Sequence, residues 1–431
     1  MKTPNFICAI ALSLLLATGN ALAVDCSDLP EWKRQRYYLL DDEVQYLDVA
    51  YVNRAESSKR DKPDPALDFP WESQGPCEPP DGGGGDGGGG GGGEVQPISI
   101  YGVWHCGNSF CDWSQERSKA EFDAANHWII DADGDGSNRP AVNLVVLSFL
   151  KPMELLESVT NSSFVDGVPR GMTPDIVSYF TGHDIRVLLS MGGVTYTDSW
   201  NEALVTKPTE LAWRAAETVI TLGADGLEID WENGSPNDAE LAGIETFIEA
   251  YNTAYVDLYF AAFEETTEPV LTMDLAVGTR YLQELSRRAA ADWLPNEKID
   301  YVNAMVARGE PSTDQWQEHV DGKSNYDPPI LPKAPAKVAV SLWLTDGRKP
   351  NPNCDSFPDS SQLAKAEYVQ TVQPNGAGVT PGLLGYMFWA AECPSTRNVC
   401  TAPPNGCEGG MGAGAAHFNI QPLDFDALRQ Q

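Results

Sequence analysis

Eight consecutive residues carry the densest chemistry in the chain: Asp225-Gly226-Leu227-Glu228-Ile229-Asp230-Trp231-Glu232. Four are carboxylic acids, and the last three alternate with apolar residues. In an extended strand successive side chains point to opposite faces. Glu228, Asp230 and Glu232 therefore share one face, and Leu227, Ile229 and Trp231 share the other. Three carboxylates in a row repel one another when all are ionised, so at least one is expected to keep its proton near neutral pH. A neutral carboxylic acid is a general acid. On an exposed strand such a run would be only a solvated face. Here the intervening residues are apolar, and burying three acids has no structural benefit. That favours a chemical role, with Glu232 as proton donor.

Such a strand needs a frame that buries its sides and opens its end. Eight strand-like runs are legible: Ser99 to Trp104, Val142 to Leu150, Ile185 to Met191, Gly226 to Trp231, Val270 to Val277, Tyr301 to Val306, Lys337 to Leu344 and Leu383 to Trp389. Several are continuously apolar, as buried parallel strands are. Helical patterns lie between them. Thr173-Pro174 precedes Asp175 to Phe180; Pro208 precedes Leu211 to Leu222, stopped by Gly223; Ser235-Pro236 opens a long stretch toward Phe263. This alternation predicts an α/β chain with a (β/α)8 barrel, a TIM barrel. Active sites in such barrels lie at the C-terminal strand ends, where Glu232 falls. A doubly wound sheet is the alternative. It would want a Gly-rich turn after the first strand, where this chain has Trp104-His105-Cys106-Gly107.

Composition sets the outer limits. The chain has 431 residues, with 62 acids against 29 bases and a formal net charge of -33. So acidic a surface repels nucleic acid and anionic membrane, so neither is expected as a partner. Residues 1–23 read as an export signal: Lys2, an apolar run Phe6 to Leu16 too short to span a bilayer, and a cleavage site at Ala21-Leu22-Ala23. The product is expected to be secreted, soluble and monomeric. Cys8 leaves with the signal, and eight cysteines remain. An even set in an oxidising compartment suggests disulfides. Cys26 with Cys77 and Cys106 with Cys111 are plausible pairs; Cys354, Cys393, Cys400 and Cys407 allow three connectivities. Scattered histidines and the lack of any Cys-x-x-Cys argue against a metal site, and no cofactor is required. Asp131-Ala132-Asp133-Gly134-Asp135-Gly136 has the spacing of half a calcium loop, but Val142 occupies the closing ligand position, which favours an acidic surface turn.

Asp81 to Gly93 is nearly all Gly and behaves as a flexible coil. It sets the boundaries 24–80 for a small module, 81–97 for a linker and 98–431 for the barrel. The module has aromatics for its size, Trp32, Tyr37, Tyr38, Tyr46, Tyr51 and Trp71 among them, interleaved with short strand-like runs.

The strand ending in Glu232 resembles the signature of glycoside hydrolase family 18, Asp-x-x-Asp-x-Asp-x-Glu on the fourth barrel strand. The family's third-strand Ser-x-Gly-Gly also appears, as Ser190-Met191-Gly192-Gly193, in the right order. Phe149, Met305 and the run Gly385-Tyr386-Met387-Phe388-Trp389 are further likenesses, and the resemblance extends from about Ile98 to Glu392. It implies a chitinase acting on N-acetylglucosamine polymers by substrate assistance, an exception to the usual two-carboxylate scheme. By matching position Glu232 is the proton donor, Asp230 holds the substrate's acetamido N–H, Glu228 shares protons with Asp230, and Trp389 floors the bound sugar. Tyr101, Phe149, Met305 and Tyr386 are candidate subsite residues. Asp225, Ser190, Gly192 and Gly193 support the motif. Two positions depart from the pattern. Glu228 replaces the usual Asp, and Met305-Val306-Ala307-Arg308 lacks the usual strand-six Tyr, for which Tyr386 or a loop residue is the candidate replacement. An endo-N-acetylglucosaminidase and a non-catalytic chitin lectin remain the alternatives. The segment Asp346 to Gly382 is too short for the extra domain some members insert, which implies a shallow cleft and attack within the polymer chain. The N-terminal module resembles carbohydrate-binding modules of families 5 and 12, which bind chitin on aromatic rings, although Val52-Asn53-Arg54 stands where they usually carry adjacent Trp residues.

Overall fold

The computed structural model describes residues 37–39, 43–46, 49–54, 57–59, 71–76, 98–107, 112–131, 136, 138–276, 278–305, 313–343, 382–389, 391 and 420–429. The signal, the Gly-rich run, Ala307 and Arg308, residues 346–381, and every cysteine except Cys106 lie outside them. The chain divides into two compact units, residues 1–90 and 91–429. The first contains a three-stranded antiparallel sheet of Glu43–Tyr46, Val49–Asn53 and Trp71–Pro76, and a separate pair, Tyr37–Leu39 with Ser57–Lys59. Val44, Tyr51 and Val52 are buried there, so Tyr51 is a core residue of this small sheet.

The second unit is the expected barrel. Its strands are β1 Ile100–His105, β2 Leu144–Leu150, β3 Arg186–Gly192, β4 Gly226–Asp230, β5 Val270–Ala276, β6 Tyr301–Met305, β7 Val338–Trp343 and β8 Gly385–Trp389. Each pairs in parallel with its neighbours, and β8 returns to β1, so the sheet has no edge. The described helices are α1 Lys119–Ile130, α2 Pro152–Leu156, α3 Pro174–Thr181, α4 Thr197–Thr206, α5 Pro208–Leu222, α6 Asp238–Phe263, α7 Gln283–Arg288, α8 Thr313–Asp321 and α9 Phe425–Arg429. Their ends follow local chemistry. Thr173 caps α3 through its side chain, with Pro174 in the first turn. Gly223 ends α5 in the left-handed conformation at φ 73°. The long α6 starts later than Ser235-Pro236 suggests, because Asn237 and Glu240 form a reciprocal capping box.

The barrel interior changes character along its axis. Its lower half holds Ile100, Leu144, Leu188, Val270, Tyr301 and Met387. The upper half is polar, with Ser190, Glu228, Asp230, Thr272, Asp274 and Asn303 all buried. Below, α9 and the segment before it close the floor: Leu423, Phe425 and Leu428 join the inner cluster. Arg429 fastens this plug, its Nε donating to Asp300 at 2.7 Å, beneath β6. Removing one partner of a largely buried ion pair strands the other charge. Arg429→Ala is therefore expected to destabilise the barrel by about 3 kcal/mol, read as a lower denaturant midpoint.

Candidate active site

The alternation expected on β4 holds. Leu227, Ile229 and Trp231 pack in the layer between barrel and helices, and Glu228 reaches across the axis. Trp104 Nε1 of β1 donates to its Oε1 at 2.8 Å, and Asn303 Nδ2 of β6 donates to its Oε2 at 2.7 Å. Burial pushes the Glu228 carboxyl up to about 7, opposed by those donors and by Ser190 and Asp274. Asp230 is raised by burial and then by the charges of Glu232 and Glu228. Its Oδ1 has no hydrogen-bond partner among the described residues. Glu232 lies one step beyond β4, half-buried. Burial raises its carboxyl, while the Val194 N–H bonds it and lowers it. A raised carboxyl at Glu232 holds its proton to higher pH than a free glutamate, the direction a general acid needs.

A fourth acid completes the group. Asp274 of β5 is buried, and its carboxyl is raised by burial and then by the charges of Glu228 and Asp230. β4 and β5 pair Ile229 with Met273, which sets Asp274 next to Asp230; β5 and β6 pair Asp274 with Asn303. The signal was present in the sequence, since Asp274 is the lone acid in the apolar run Val270 to Val277. Trp104 and Asn303 were also missed as partners of the acids, because only the closed barrel brings β1 and β6 to β4.

The motif residues act from below and beside. Asp225 precedes β4, pairs with Arg186 Nη1 at 2.9 Å and accepts from Val187 N at 2.8 Å, which ties β3 to β4. Ser190 is buried beside Glu228. Gly192 has φ 127°, and a Cβ there would collide with the Asp230 carbonyl. Gly193 donates its N–H to that carbonyl at 2.9 Å and faces the Phe149 ring. The glycines thus let β3 approach the acids.

The aromatic candidates divide. A register shift between Ser190 and Met191 leaves Phe149 as an extra residue on β2, a bulge that turns its ring toward the mouth. There it stacks on Trp389 at 5.9 Å, and Trp104 lies 6.3 Å from Trp389. Phe149 and Trp389 thus form one wall, and Met305 is half-buried at the end of β6. Tyr101 and Tyr386 do not line the cleft. Tyr101 packs on Phe388 and Tyr386 on Trp316, both in the layer outside the barrel, because period-two alternation points them away from the axis. Tyr386 therefore cannot replace a missing strand-six Tyr. Cys106 is buried, while Cys111 lies outside the described residues. Among the described residues no group of three or more His, Cys, Asp or Glu is placed to hold a metal ion, and no helix is long and apolar enough to cross a membrane.

No family model matches the chain. A 142-residue segment is 25% identical to sporulation-specific chitinase 2 of Saccharomyces cerevisiae, covering 31% of this chain and 27% of that protein. Among solved structures, a family GH18 chitinase from Chromobacterium violaceum overlaps 91% of this chain and 100% of its own at 14% identity and a TM-score of 0.41. A chitinase-like agglutinin from Robinia pseudoacacia overlaps 74% of this chain and 99% of its own at 12% identity and a TM-score of 0.44. The yeast match spans about a quarter of that protein.

Two measurements probe the site. A carboxyl whose folded pKa is raised keeps its proton longer than in the unfolded chain, where Asp titrates near about 3.9. Its stability contribution is therefore lost as pH rises from that value toward the folded one. Asp230→Asn removes this penalty, so its unfolding midpoint is expected to exceed wild type clearly at pH 8 and little at pH 4. Gly192→Ala is expected to cost about 1–3 kcal/mol through the disfavoured backbone and the collision with Asp230, seen as a lower midpoint at both pH values.

Proposed function

We propose that the chain is a glycoside hydrolase of family 18 type that cleaves β-1,4 links between N-acetylglucosamine units. The observation that carries this reading is the buried acid column ending at the barrel mouth, with Glu232 last and Asp230 Oδ1 unpartnered among the described residues. Glu232 gives its proton to the glycosidic oxygen. The acetamido carbonyl of the bound sugar attacks the anomeric carbon and expels the leaving chain, closing a charged five-membered ring. Asp230, with an open acceptor oxygen, takes the acetamido N–H and balances that charge. Glu232, now a base, removes a proton from water, which opens the ring with net retention. Glu228 keeps Asp230 company in sharing protons, and Trp389 with Phe149 forms the apolar wall against the sugar. No cofactor enters these steps. Export from the cell and chitin binding by the N-terminal unit belong to the same reading, as does attack within the polymer by a monomer.

The test is hydrolysis of soluble chitin hexamer by wild type and Glu232→Gln. The variant is expected to lose at least about a hundredfold in kcat, the lower range for removing a general acid, while still binding the hexamer. Equal rates would sink the proton-donor assignment. Binding without turnover by wild type would instead favour the lectin reading.

A further inference from the structure

Asp274 is the buried acid to which the steps above give no task. It lies on β5, 1% exposed, and follows Met273, the register partner of Ile229, so it sits beside Asp230. It also hydrogen-bonds Glu228. The groups facing it are Glu228 and Asp230 from β4, and Asn303 and the Tyr301 phenol from β6. Among the described residues no lysine or arginine joins them. The strand-four pattern does not call for this acid, since Asp225, Glu228, Asp230 and Glu232 all lie on or beside β4.

Hydrogen-bond chemistry decides where the proton between Glu228 and Asp274 rests. An indole N–H and an amide nitrogen can only donate. Trp104 and Asn303 take one Glu228 oxygen each, at 2.8 and 2.7 Å, and Ser190 bonds the same carboxyl. A proton on Glu228 would meet an N–H at either oxygen. The bond to Asp274 needs one proton, so Asp274 carries it and donates. Burial pulls the same way. The Asp274 carboxyl is raised by burial and then by the charges of both β4 neighbours, whereas Glu228, checked by its donors, is pushed up only to about 7. The hydrogen bonds of Glu228 thus run to β1, β3, β5 and β6. Asp230 feels the charges of Glu232 and Glu228, and its Oδ1 has no partner among the described residues. Proton sharing runs through three acids, and its resting place is on β5. We propose that Asp274 is a positioning residue for the reaction: a neutral acid that donates to Glu228, fixes that carboxylate across the barrel axis and leaves Asp230 open to the substrate. This rests on the hydrolase reading above.

The test has two arms. The proton is read without substrate, by infrared difference spectra at pH 8 between unlabelled chain and chain carrying carbon-13 at its aspartate carboxyls. A neutral-acid carbonyl band is expected that disappears in Asp274→Asn and survives in Asp230→Asn. A band that Asp274→Asn leaves intact puts the proton elsewhere and overturns the proposal. Positioning is read on chitin hexamer. Asp274→Ala is expected to lower kcat at least about tenfold, the weight of one hydrogen bond to a charged group, with KM little changed, as for an interaction that acts in the transition state. Asp274→Asn, uncharged and still a donor to Glu228, is expected to restore kcat to within about threefold of wild type, the difference between two neutral donors, and to leave the alkaline limb of the kcat/KM profile in place. A limb displaced to lower pH in Asp274→Asn would mean that Asp274 is ionised in the working enzyme. Equal losses in the two variants, or no loss in Asp274→Ala, would mean that donation to Glu228 does not matter. Each of these overturns the proposal. If wild type leaves the hexamer uncut, the hydrolase reading fails by itself, and the Asp274 proton then stands or falls by the infrared band alone.

Discussion

Like charges held together in a dry interior are the constraint around which this barrel is arranged. Glu228, Asp230 and Asp274 are buried within one layer or two of each other, and Glu232 stands above them. Among the described residues no lysine or arginine bonds any of them. Neutral donors, Trp104 and Asn303, reach Glu228 directly at 2.8 and 2.7 Å. Such a group persists only by keeping protons that an exposed carboxylate would release. The rest of the molecule must supply the stability this arrangement forgoes. It does so below, in the apolar lower half of the barrel, and around, in the continuous layer between strands and helices.

Much of this was legible from residue order. Eight runs located the strands to within about two residues, the usual ambiguity of element ends. Period-two alternation on β4 sorted Glu228, Asp230 and Glu232 from Leu227, Ile229 and Trp231. The same rule, applied to β1 and β8, would have placed Tyr101 and Tyr386 outside the barrel, since Trp104 and Trp389 occupy the opposite parity. Resemblance drew them toward the cleft instead. Phe149 shows the converse. Simple alternation sends it outward, and only the bulge turns it in. Trp104 and Asn303 were hidden for a different reason: they meet Glu228 across closures of 124 and 75 residues, which local patterning does not report.

The residues around Glu232 are tied down by side-chain hydrogen bonds. Trp231 Nε1 donates to Asn201 Oδ1 at 2.8 Å, and Asn233 Nδ2 bonds both Asn201 and Glu240 at 3.1 Å. The residues on either side of the acid are thus anchored to α4 and to the cap of α6. From the segments after β3 and β5, the Val194 N–H bonds the Glu232 carboxyl and the Tyr281 hydroxyl donates to its backbone carbonyl at 2.9 Å. Such bracing fixes where a proton can be delivered, which matters more for general acid catalysis than the strength of the acid alone.

The plug beneath the barrel bears on how the chain acquires its fold. Gln421 accepts from Asn143 Nδ2 across 278 residues, and Leu423 accepts from Arg186 Nε across 237. Contacts of that span close long loops and are slow to form. Until residues 420–429 emerge from the ribosome, the floor under Ile100, Leu144 and Leu188 stays open to water, and the acid column above has no sealed apolar base. A barrel of this kind stays an open container until the segment at 420–429 reaches the strands laid down more than two hundred residues before it.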